Sequence, residues 1–208
     1  MLRAMMKAKG NHIMQQSNAP RRSYPVEING LDWVGELRVP VHVTGVLLCL
    51  GQSTPAEDAF QQRHVATLSL QLPNQDVNME TASITAIINW VGQHAVTRNR
   101  PITILAMDSA HNTNVALTAA TKETDVVSAV ILYESPFDNL SRRLLADVDC
   151  PILWVTANPA QLRSDLAVDF ESLPHLALWN TGDQKPAEQV AAWVAKLVSS
   201  SDTEITPM

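Results

Sequence analysis

Residues 102–120, ITILAMDSAHNTNVALTAA, decide how the chain is read. Ile102 to Met107 is a strand-length run that is apolar except for Thr103, the pattern of a strand buried on both faces. Asn112 to Glu123, NTNVALTAATKE, reads as a helix with a small-residue face. Asp108 and Ser109 fall in the sharp turn between strand and helix. Asp, Ser and Asn are the favoured caps of a helix N-terminus, and an Asp there also meets the positive end of the helix dipole. Asp108 is accordingly expected as the cap.

The same alternation extends outward. YPVEI and LDWVGELRVP read as two strands joined by Asn29-Gly30, a hairpin signal. GVLLCLG (45–51), HVATLSLQL (64–72), VVSAVILYE (126–134), CPILWVTA (150–157) and HLALWN (175–180) are further strands. Helical patterns fall at 54–63, 79–96, 137–148, 160–170 and 186–198, with Ile84, Ile87, Ile88 and Val91 spaced along one face. A hairpin followed by alternating strand and helix predicts an α/β fold, a mostly parallel central sheet with helices on both faces. Ligands in such sheets bind outside the carboxyl ends of the strands.

The 208 residues suit one domain, and 46% of them are apolar. No apolar run reaches the roughly 18 residues of a membrane span. Residues 1–22 hold five Lys or Arg and no acid, leaving 10 basic and 21 acidic groups in the remaining 186. An acidic body argues against nucleic acid as a partner. The basic head fits either a transit segment or a flexible tail, and the tail is the simpler expectation. The domain is thus expected over 23–199, with a polar tail at 200–208. Cys49 and Cys150 fall in separate expected strands and read as core residues of a protein in a reducing, cytoplasmic compartment.

The element order, together with GVLLCLG, DCPILWV (149–155) and AEQVAAWVAKLV (187–198), resembles the α/β-hydrolase superfamily. The small lidless dienelactone-hydrolase-like members are the nearest type. The resemblance spans about Val26 to Val198. It implies a nucleophile in a G-x-S-x-G turn, which falls here on AMDSAHN. Aligned from the strand, Ala106-Met107-Asp108-Ser109-Ala110 puts Asp108 at the nucleophile position with alanines for both glycines. A shift by one puts Ser109 there, flanked by Met107 and His111. Alignment from the helix puts the inert Ala110 there. The register stays open, and Asp108 and Ser109 are both candidate nucleophiles, since carboxylates also form covalent intermediates.

The resemblance further implies a histidine between the last strand and last helix. NTGDQKPAEQ (180–189) has none; Asp183, Gln184 and Lys185 occupy that loop. An acid is implied after the next-to-last strand, where TANPAQL (156–162) offers only Asn158. Glu134, one strand earlier, is the alternative, and otherwise reads as an exposed strand-end carboxylate. Gly51 keeps the oxyanion-loop glycine, followed by Gln52 and Ser53. Of six histidines only His111 is near the turn, and it reads as a helix-start or crevice-lining residue.

These losses point to a pseudoenzyme: a hydrolase-like fold without its triad, acting as a non-catalytic binding or regulatory protein. The alternatives are a hydrolase of a small ester, lactone or halide using Asp108 or Ser109, and a protein-interaction subunit. Gly51, Gln52, Ser53, Asp108, Ser109, His111, Glu134, Asn158 and Asp183 are expected around one acid-leaning crevice, with Trp179 lining it and a small molecule, cationic or rich in hydroxyls, as ligand. A divalent cation held by these oxygens is conceivable, but no metal site and no cofactor is expected: the glycine-rich nucleotide motifs are absent. Trp33, in the leading hairpin at the sheet edge, is where self-association is conceivable.

Overall fold

The computed structural model describes residues 22–28, 31–51, 57–73, 75–160, 162, 173, 175–180 and 186–201. The sheet has eight strands: β1 (Arg22–Ile28), β2 (Leu31–Arg38), β3 (Gly45–Leu50), β4 (Val65–Leu70), β5 (Ile102–Met107), β6 (Val127–Tyr133), β7 (Ile152–Thr156) and β8 (Leu176–Asn180). Their order across the sheet is β1-β2-β4-β3-β5-β6-β7-β8. β2 runs antiparallel to β1 and β4, and every other pairing is parallel. The described helices are α1 (Glu57–Gln62), α2 (Val77–Gln93), α3 (Ala110–Lys122), α4 (Asn139–Leu144) and α5 (Pro186–Ser201).

Two cores form because side chains alternate across a strand. Val46, Leu48 and Leu50 of β3 and Ile102, Ile104 and Ala106 of β5 meet Ile84, Ile87 and Ile88 of α2 and Val115, Ala116 and Ala119 of α3. Leu47, Cys49, Leu105 and Met107 face the other way, toward Phe60 of α1 and Val190, Val194 and Val198 of α5. β3 and β5 are buried at every position, which is why their sequences are apolar without alternation. The alanines of α3 let that helix sit close over the central strands.

Several boundaries differ from expectation. Arg22, assigned to the tail, is the first residue of β1, and α5 continues to Ser201. Arg22 pairs with Leu37 of β2. Cys150 lies two residues before β7, half-buried rather than inside the strand. Burial pushes its thiol up to about 11, so it stays protonated at neutral pH. Trp33 is on β2, and β1 is the actual edge. The helix expected over 160–170 and the two tails fall, almost wholly, outside the described residues.

The segment after β6 is tied to α3. Asp138 caps α4, accepting from the amides of Leu140 and Ser141. Its Oδ2 accepts from Asn114 Nδ2 at 2.9 Å, and Ser141 Oγ donates to Asn114 Oδ1 at 2.5 Å. Burial alone raises the Asp138 carboxyl, but hydrogen bonds from Ser141, Asn114 and Leu140 together hold it below the usual carboxylate range. A depressed carboxyl contributes stability above its unfolded value and loses it as pH falls through the folded one. Asp138→Ala is expected to cost about 1–2 kcal/mol at pH 7, the usual value of a lost cap. Urea unfolding at pH 7 and pH 3 tests this; the difference between wild type and variant should shrink at the lower pH.

Candidate functional site

The carboxyl ends of β3, β5, β6, β7 and β8 bring together Gly51, Asp108, Glu134, Asn158 and Asn180. The N-termini of α2 and α3 arrive at the same edge, because each helix follows a parallel strand. Asp108, Glu134 and Asn158 are exposed there. Gln52, Ser53 and Asp183, with Gln184 and Lys185, lie outside the described residues.

The turn between β5 and α3 bends at Asp108. Asp108 has φ 72, in the left-handed region that costs non-glycine residues energy and that Asp tolerates better than most. Ser109 returns to extended backbone at φ −150 and caps α3, its Oγ accepting from the amide of Asn112 at 3.1 Å. The cap is therefore Ser109, not Asp108 as expected. A serine whose oxygen serves the helix, and whose carbonyl accepts from the Thr113 amide and hydroxyl, is bound into the turn. Asp108 is the side chain presented at the bend.

Gly51 explains how Asp108 fits. A Cβ on Gly51 would stand 2.8 Å from Asp108 Oδ2, and its φ of 153 is itself poor for a side chain. The carboxylate thus rests against the bare Cα of the residue that follows β3. Asn112 fixes the two strand ends: its Nδ2 donates to Met107 O at 2.7 Å and to Leu50 O at 3.4 Å. Its Oδ1 is buried with no hydrogen-bond partner. Asn112 was not singled out from sequence, since an asparagine in a first helical turn is commonplace.

His111 also lies in the first turn of α3. Its Nε2 is 2.5 Å from Oε2 of Glu80, on the first turn of α2. The Glu80 side chain is only 2% exposed, and that of His111 is 20% exposed. Glu80 Oε1 accepts from the Gln75 amide at 2.7 Å. A buried carboxylate is thus satisfied on both oxygens, one by backbone and one by the imidazole. The pair spans 31 positions of sequence, and no spacing in the chain announces it.

The other described histidines are elsewhere. His42 and His64 stand before β3 and β4, at the opposite edge, and His94 ends α2. His175 precedes β8 and contacts the Leu145 carbonyl at 3.2 Å. Glu134 adopts φ 46 at the end of β6. Burial, and secondarily the Glu134 charge, raises the neighbouring Tyr133 phenol, which keeps it a proton donor. Trp179 is half-buried against the core under α5, so much of its surface is packing. Among the described residues no three His, Cys, Asp or Glu side chains converge as a metal site, and no helix is long and apolar enough to cross a membrane.

No protein-family model matches the chain, and no curated protein matches it in sequence. Solved structures do. A dienelactone hydrolase from Anabaena variabilis is 18% identical, with a TM-score of 0.65 over 86% of this chain and 98% of that one. A 2,6-dihydroxy-pseudo-oxynicotine hydrolase is 18% identical, with a TM-score of 0.66 over 91% and 71%. An esterase from an Arctic intertidal metagenomic library is 15% identical, with a TM-score of 0.61 over 86% and 93%. At these identities the likeness establishes a shared architecture.

Two substitutions test the geometry of the bend. Asp108→Gly is expected to raise stability by about 0.5–1 kcal/mol by relieving the positive φ. Gly51→Ala is expected to lower it by about 1–3 kcal/mol. Chemical denaturation of both proteins against wild type provides the check.

Proposed function

We propose that this chain, which has the α/β-hydrolase fold, binds a small molecule at the carboxyl edge of its sheet and does not carry out ester hydrolysis by a serine triad. One observation carries the reading: the bend holds a carboxylate, Asp108 at φ 72, while the neighbouring serine is a helix cap. The loop after β8 also contains no histidine. Of the groups in that loop, neither the Gln184 amide nor the Lys185 ammonium takes a proton from serine at its ordinary pKa. Fold alone does not license an activity. Asp108 and Glu134, both at this edge, favour a neutral or cationic ligand that can donate hydrogen bonds, such as a hydroxyl-rich compound.

The strain at Asp108 favours a second reading. Left-handed non-glycine residues concentrate at functional sites, and a carboxylate at such a bend can displace a halide from an alkyl carbon, giving an ester that water cleaves at the Asp108 carboxyl carbon to release the alcohol. In that case one carboxylate oxygen exchanges with solvent in each cycle.

Two measurements separate these. Thermal unfolding with a panel of small organic cations and polyols should show stabilisation by at least one compound, lost in Asp108→Ala. Turnover of p-nitrophenyl esters, lactones and haloacids should not exceed that of Asp108→Ala. Turnover lost in Asp108→Ala, with oxygen-18 from labelled water entering Asp108, would establish the second reading instead.

A further inference from the structure

We propose that His111 and Glu80 form a proton-abstracting dyad at the crevice, acting on a neutral carbon acid, a small molecule whose C–H is acidified by an adjacent carbonyl or ring nitrogen. The inference rests on the binding reading for where the ligand sits and goes beyond it, because the dyad needs neither a nucleophile nor a residue after β8.

The arrangement is built rather than incidental. Glu80 is almost wholly buried, and its two oxygens are occupied by the Gln75 amide and by His111 Nε2. A carboxylate held this way accepts from Nε2–H and so selects the tautomer with the lone pair on Nδ1. One fifth of the His111 side chain is exposed. The ring stands three residues after Asp108 in the first turn of α3, beside the carboxyl ends of β3 and β5. Glu80 reaches it because the N-termini of α2 and α3 lie side by side on one face of the sheet.

The step balances without a further reactant. Nδ1 takes the proton from carbon, and the electron pair of that C–H bond moves into the substrate's acceptor group. The imidazolium that forms is stabilised by the Glu80 carboxylate across Nε2–H. The proton returns to the substrate or leaves to water. His111 is the catalytic residue in this scheme, and Glu80 is a positioning residue that acts through it. The acidic edge that carries Asp108 and Glu134 disfavours anionic substrates.

The probe is 5-nitrobenzisoxazole, whose ring opening needs only a base. Its C–H proton goes to the base, the C–H pair completes the nitrile, and the N–O pair leaves on the phenolate. The full chain is expected to accelerate this reaction over buffer. His111→Gln keeps an N–H to donate to Glu80 but cannot take the proton, and should lower kcat by about tenfold or more. Glu80→Gln should lower kcat with little change in KM. His42→Gln, at the opposite edge of the sheet, should keep the rate. In the wild type, nitrogen-15 NMR of His111 at pH 8 should place the proton on Nε2. A rate no greater than buffer, a rate unchanged in His111→Gln, or a proton on Nδ1 each overturns the proposal. Crevice ligands that stabilise a chain inactive toward the probe would leave the binding reading standing alone. Ester turnover lost in Asp108→Ala would sink that reading and leave the His111 comparison intact.

Discussion

The turn from β5 into α3 is the constraint on which this structure depends. β5 is buried on both faces and α3 packs closely over the central strands, so the chain must reverse within two residues. One residue therefore takes the left-handed region, and Asp108 does so with φ 72. The next, Ser109, must satisfy the amides of a helix that starts at once. The bend in turn requires space, which the missing side chain of Gly51 supplies. Asn112 then binds the ends of β3 and β5 together beneath it. Strain at Asp108 is thus held by interactions on three elements.

Chemistry at this edge follows from which side chains the bend presents and which it consumes. Ser109 is consumed by the cap. Asp108 is presented, beside a glycine and along an edge that also carries Glu134. Imidazole, the group that would turn a serine or a water into a nucleophile, is absent from the loop after β8. The single imidazole at this edge among the described residues is His111, and it is already held by Glu80.

Much of the architecture was legible in the sequence. The runs GVLLCL and ITILAM are apolar without alternation because both faces are covered, and that physical cause leaves a direct trace in composition. The Asn29-Gly30 signal likewise placed the antiparallel β1–β2 pair. The site was less legible. Asp and Ser are both good caps, so composition could not decide which of Asp108 and Ser109 would bend and which would cap. That choice is made by how closely α3 approaches the strand. Glu80 looked like an ordinary first-turn acid, since its value arises only when α2 packs beside α3. Trp179 is half-buried and packs against the core that lies beneath α5.

The most direct test of the assignment at the bend is the intact mass of the protein after incubation with a broad fluorophosphonate, beside Ser109→Ala. A serine engaged as a helix cap, with no imidazole to activate it, predicts an unmodified mass for both proteins. A single adduct on the wild type that disappears in Ser109→Ala would contradict the account, because Ser109 would then be an activated nucleophile.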